Sequence, residues 1–137
     1  MKNGVIAQKL QSLDEVLTEL HSLGEVNSTL LLQDWRTRRA IERDLQVLVE
    51  IVIDVCQRLI SLAGQSPAAT GVDAVERCIQ LGVLSDNDVY RKMVQFRNFI
   101  VHRYERVDVN ILVDMVNRRL QDFEQFRDDV LNYVRNS

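Results

Sequence analysis

The chain has 137 residues, 46% hydrophobic but only 6% aromatic, with a single proline and five glycines. That length fits one domain, residues 1–137, able to bury roughly two-thirds of its unfolded surface in one core, which leaves no room for a second domain. A net charge of −3 and a pI near 5.4 argue against a bulk nucleic-acid binder steered by an overall basic surface, and the Leu, Val, Ile, Arg, Glu and Gln that dominate suit long helices.

Residues 3–23 place Val5, Ile6, Leu10, Leu13, Val16, Leu17 and Leu20 at the three-and-four spacing of an amphipathic helix, stopped by Gly24. A longer pattern over 28–63 runs through Trp35, Ile41, Leu45, Leu48, Val52, Val55, Leu59 and Leu62, so it is expected to form one continuous helix. Its middle, 45–55, is apolar on more than one side, which implies either several neighbours or contact with a second protomer. Gly64 to Thr70 contains the only proline and reads as the main loop.

Thr70 is placed to cap a short helix ending at Gly82, and Ser85 with Asp88 resembles a capping box for a fourth helix carrying Val89, Met93, Phe96 and Ile100. Asp108 can cap the last helix, to about Val134. About five helices with short connections predict an all-α, up-and-down bundle. No glycine-rich phosphate loop or alternating strand pattern is present, which excludes a Rossmann or P-loop nucleotide site. Tyr90 and Tyr133 are expected at the bundle edge with wet hydroxyls.

Cys56 and Cys78 lie in apolar helical patterns without metal-ligand spacing and are expected to be buried free thiols. No charged leader followed by an apolar stretch opens the chain, and no run approaches the roughly 18 apolar residues of a membrane span. A cytoplasmic location is the expectation.

Charge is unevenly distributed. Between Arg91 and Arg106 five Lys or Arg (Arg91, Lys92, Arg97, Arg103, Arg106) face one acid, Glu105. A second cluster, Arg36, Arg38, Arg39 and Arg43, surrounds Trp35 with only Glu42 among it, and a solvated helix face would explain it equally well. Within the first segment, Arg97-Asn98-Phe99-Ile100-Val101-His102, followed by Tyr104, brings a permanent cation, an amide and an imidazole together near an expected helix end.

RNA carries its own nucleophile, the 2′-hydroxyl, so a protein can cleave it by moving protons with a histidine and neutralising phosphorane charge with a guanidinium, without a metal or cofactor. His102 suits the first role, with an unperturbed pKa near 6.5, and Arg97 the second; Asn98 could orient either the histidine or the substrate. At about 100° per residue, however, Arg97 and His102 point about 140° apart on an undistorted helix. Either the helix loosens, or the arginine bends, or two protomers complete the site. The plainer alternative is a histidine serving a helix terminus and an arginine paired with an acid.

The string Phe96-Arg-Asn-Phe-Ile-Val-His-Arg-Tyr104 resembles the Arg-x4-His motif of the HEPN superfamily, and in particular its HepT branch, whose motif extends to a tyrosine two residues after the histidine. The similarity extends to the helical layout of nearly the whole chain. It implies an endoribonuclease toxin, a homodimer with Arg97 and His102 of both protomers at a shared cleft, and a cognate MntA-like nucleotidyltransferase antitoxin that transfers AMP from ATP onto Tyr104. A bulky adenylyl phosphate beside Arg97 and His102 would compete with RNA for the same cations. The competing function is a noncatalytic helical partner of the transferase, using the same motif as a phosphate-binding patch.

Overall fold

The computed structural model describes residues 4–97 and 108–136. Its elements in chain order are α1 (Gly4–His21), α2 (Ser28–Gln33), α3 (Trp35–Leu62), α4 (Gly71–Gln80), α5 (Asp88–Gln95), α6 (Val109–Asp114), a π-helical turn (Met115–Arg119) and α7 (Leu120–Arg135). The all-α expectation holds across the described residues. The helices are more numerous than five because two expected long segments are interrupted.

The first interruption is at Asp34. Its carboxylate accepts from the Thr37 amide at 3.1 Å and from the Thr37 hydroxyl at 2.7 Å, capping α3, while its own amide closes α2 onto Leu30. Capping at this point satisfies the unpaired amides of a new helix, so 28–63 folds as two helices rather than one. The break also turns Trp35 out: it is 60% exposed, against its expected place on the apolar side.

The helix α3, 28 residues and about 42 Å long, is the central strut. It packs against α1, α2, α4, α5 and α6 and buries Ile41, Leu45, Leu48, Val52, Val55 and Leu59 among others. Its multi-sided apolar middle is therefore consumed by neighbours within the chain, and that feature gives no support to a second protomer. Helix α1 lies antiparallel along it, with Lys9 reaching Asp54 near one end and Glu19 meeting Asp44 near the other. On its other flank α1 meets α7 through Arg127 and Asp14 at 2.7 Å and His21 and Glu124 at 3.1 Å.

The second interruption, the wider π turn, lies inside the expected last helix. It carries Asn117, whose side chain accepts from the Val26 amide at 3.0 Å and donates to the Val26 carbonyl at 2.8 Å. Val26 is buried, so both of its backbone groups need such partners; Asn117 thereby ties the α1–α2 connection to the last helix.

Two further sequence expectations are corrected. The cap of α5 is Asn87, which accepts from Val89, while Ser85 instead donates from its amide and hydroxyl to Asp129 on α7. Tyr90 is fully buried rather than at the edge: its ring stands edge-on to Phe126 at 6.1 Å between centroids, and its hydroxyl donates to Asp129 at 2.6 Å. Thr70, Gly82 and Asp108 serve as expected, Thr70 and Asp108 as helix caps and Gly82 with a left-handed φ of 80°. Cys56 and Cys78 are buried free thiols in contact, the Cys78 sulfur 3.6 Å from the Cys56 carbonyl oxygen. A hydrogen bond with Cys78, and then burial, push the Cys56 thiol well above its ordinary pKa.

Candidate functional site

The chain passes out of α5 at Gln95, through buried Phe96 to Arg97, and is next described at Asp108, the cap of α6. Arg97 is exposed, and no described carboxylate lies within ion-pair distance of it. It is thus a cation held at the end of a short helix whose preceding residue is anchored in the core. The other three residues singled out, Asn98, His102 and Tyr104, lie outside the described residues.

The flanks define where this segment begins and ends. Phe96 lines a cavity of about 260 Å³ between α5 and the π turn, together with Met93, Asp114, Met115, Asp122 and Phe123. Burial raises the Asp122 carboxyl above its ordinary pKa, against the opposing pull of Arg119. At the far flank α6 packs on α2 and α3. The chain therefore leaves the core at Arg97 beside the π turn and re-enters it at Asp108, at the start of the helix that packs on α2 and α3.

The local excess of positive charge is smaller than the sequence suggests. Arg91 is committed to the fold, pairing with Glu76 on α4 and with Asp86 and Asp88, and Lys92 pairs with Asp88 at 3.6 Å. Hydrogen bonds to Glu76 and Asp86 push the Arg91 pKa up, so it stays a structural cation. Sequence counting cannot distinguish such a residue from Arg97, because the acids that neutralise it come partly from another helix. Among the described residues no group of three or more His, Cys, Asp or Glu could hold a metal ion.

An all-helical arrangement of this order among the described residues, with an Arg-x4-His string that begins two residues after α5, has the layout of a HEPN-type helical domain. The comparison with known proteins carries this to a family: residues 13–130 match the family described as ribonuclease HepT-like, and the chain belongs to that family of ribonucleases. The mRNA nuclease HepT of Shewanella oneidensis is 25% identical over 128 residues, which span 92% of this chain and 96% of that one.

Solved structures agree on the fold. The tri-AMPylated Shewanella oneidensis HEPN toxin in complex with its MNT antitoxin matches with a TM-score of 0.85 at 24% identity, over 96% of this chain and 99% of that one. A toxin–antitoxin crystal structure with AMP-PNP matches with a TM-score of 0.84 at 23% identity, over 95% and 99%. No helix among the described residues is long and apolar enough to cross a membrane.

Proposed function

We propose that this protein is a metal-independent endoribonuclease toxin of a HepT/MntA-type pair, acting as a homodimer and neutralised by adenylylation of Tyr104. The observation that carries the reading is membership of the ribonuclease HepT-like family across most of the chain, joined to an Arg97 that is exposed and without an ion-pair partner among the described residues.

The chemistry needs few groups. His102 takes the proton of the RNA 2′-hydroxyl as that oxygen bonds to phosphorus, or delivers one to the departing 5′-oxygen as its bond to phosphorus breaks; in a dimer two copies of His102 divide these tasks. Arg97 neutralises the charge that develops on the phosphorane oxygens, and Asn98 orients the imidazole or the substrate. The products are a 2′,3′-cyclic phosphate and a free 5′-hydroxyl. No cofactor enters this scheme.

The AMP-modified state and MNT partner of the Shewanella toxin support the regulatory half. In this chain the Tyr104 hydroxyl would attack the α-phosphorus of ATP, pyrophosphate would leave, and the new phosphodiester would occupy the cations that RNA needs.

The deciding experiment is incubation of a mixed tRNA and mRNA pool with purified protein, unmodified at Tyr104, in EDTA, beside His102→Ala, with analysis of the RNA ends. Cyclic-phosphate ends that vanish in the variant are expected. No cleavage by the wild-type protein would replace this reading with that of a noncatalytic partner of the transferase.

A further inference from the structure

The first turns of α3 carry an arrangement that the cleavage motif does not use. Trp35, Arg36, Arg39 and Arg43 fall within an arc of about 100° on the helix and span about 12 Å along its axis. All four are exposed. The Arg36 guanidinium lies over the Trp35 ring, 5.3 Å from its centroid, while the ring remains 60% exposed and Leu32, 65% exposed, stands close by in sequence.

The acids of this stretch have other partners, although Asp34 also feels the charge of Arg36 and Asp44 that of Arg43. Asp34 caps α3 through Thr37, Glu42 pairs with the half-buried Arg38 at 3.7 Å, and Asp44 faces Glu19 of α1. None of the three exposed arginines forms an ion pair with a described residue. The result is a row of exposed guanidinium groups, none within ion-pair distance of a described carboxylate, beside an open aromatic face in a chain of net charge −3. Such a surface matches one chemistry closely: phosphates along a strand, with an unpaired base stacked on the ring.

We infer that Trp35, Arg36, Arg39 and Arg43 form a second contact surface for single-stranded RNA, which holds the substrate beyond the cleavage motif. The inference rests on the ribonuclease reading for the identity of the polyanion. Its position is compatible with this, because α2, which leads directly into Trp35, packs against α6, the helix that Asp108 opens after the cleavage motif. In an acidic protein, a local stripe of this kind supplies the phosphate contacts that the molecule as a whole does not.

Trp35 is the chain's only tryptophan, so its emission reports directly on this surface. Titration of the full-length His102→Ala protein with a single-stranded oligoadenylate should quench Trp35, and added salt should reverse the quenching. In Arg36→Gln/Arg39→Gln/Arg43→Gln the slope of log affinity against log salt should fall by about 2, near 0.7 per lost phosphate contact. Trp35→Phe, assayed by oligonucleotide anisotropy, should weaken binding severalfold, and Trp35→Ala tenfold or more. Glutamine is as good a helix former as arginine, and circular dichroism confirms that the triple variant is folded.

Quenching by oligoglutamate but not by oligoadenylate would overturn the inference in favour of an acidic protein partner. An unmoved Trp35 signal, or an unchanged salt slope in the folded triple variant, would also overturn it. Because the titration does not depend on turnover, quenching without any cleavage by the wild type leaves this surface standing and removes the ribonuclease reading. Cleavage without quenching does the reverse.

Discussion

The Tyr90 hydroxyl donates to the Asp129 carboxylate at 2.6 Å, across the packed faces of α5 and α7. Asp129 also gathers the amide and hydroxyl of Ser85, so one carboxylate fixes both the entry to α5 and its first turn. Burial, and then Asp129, push the tyrosine's pKa well above its ordinary value, which keeps it a donor at all physiological pH. Helix α5 ends only two residues before Arg97, so this bond helps set where Arg97 emerges.

Tyr90→Phe removes a donor to a charged acceptor in the core, a loss of about 1.5 to 3 kcal/mol in such settings. Asp129 keeps its Ser85 contacts, so the lower end of that range is expected, with a fall of several degrees in Tm. Thermal unfolding followed by circular dichroism checks this. A variant as stable as wild type would show the bond to be dispensable.

Arg97→Ala should abolish RNA cleavage, by about 10² or more, with stability unchanged within about 0.5 kcal/mol, because the side chain is exposed and unpaired among the described residues. Paired measurements of single-turnover cleavage and urea unfolding separate the two effects. Cleavage at the wild-type rate would remove Arg97 from the reaction.

Tyr104→Phe should escape adenylylation by the cognate nucleotidyltransferase with ATP, and should remain toxic when the two are expressed together. Intact-protein mass spectrometry reads the modification. If the Phe variant gains as many AMP groups as wild type, the modified residue is another.

Arg91→Gln should behave in the opposite way to Arg97→Ala. Its partners Glu76, Asp86 and Asp88 join α4, the α4–α5 connection and α5, so the change should lower the Tm, by a modest amount because the pairs are solvent-screened. RNA affinity and its salt slope should stay as they are. A salt slope reduced by about 0.7 would mean that Arg91 contacts phosphate after all.

The Asp44 carboxyl is pushed up to about 6, first by partial burial and then by Glu19 across the α1–α3 contact. Its folded pKa exceeds the unfolded value near 3.9, so the native state binds more protons between those values and stability declines as pH rises through about 4 to 6. Asp44→Asn removes that penalty. Its Tm should exceed that of wild type at pH 7.5, and the advantage should shrink to nothing below pH 4. An advantage that is equal at both pH values would assign the effect to packing instead.

Much of this architecture is readable along the chain because its signals are local. Spaced apolar residues such as Leu10, Leu13, Leu17 and Leu20 mark a helix face, and Thr70, Asp108 and Gly82 mark ends, since capping and left-handed turns depend on neighbours within a few residues. The motif string from Arg97 to Tyr104 is likewise a local pattern, and it led to the family that the comparison with known proteins shows. Asp34 lay in an otherwise continuous apolar rhythm, and periodicity alone could not show that its side chain would end one helix and begin the next.

What only the tertiary structure decided involves partners far apart in sequence. Tyr90 is a core donor because Asp129 is brought to it, Asn117 is a clasp because Val26 is, and Arg91 is tied into the fold because Glu76 is. Composition and spacing assign each of these side chains a type but not a partner. Burial and charge neutralisation are properties of the contact, and the contact exists only once the helices have packed.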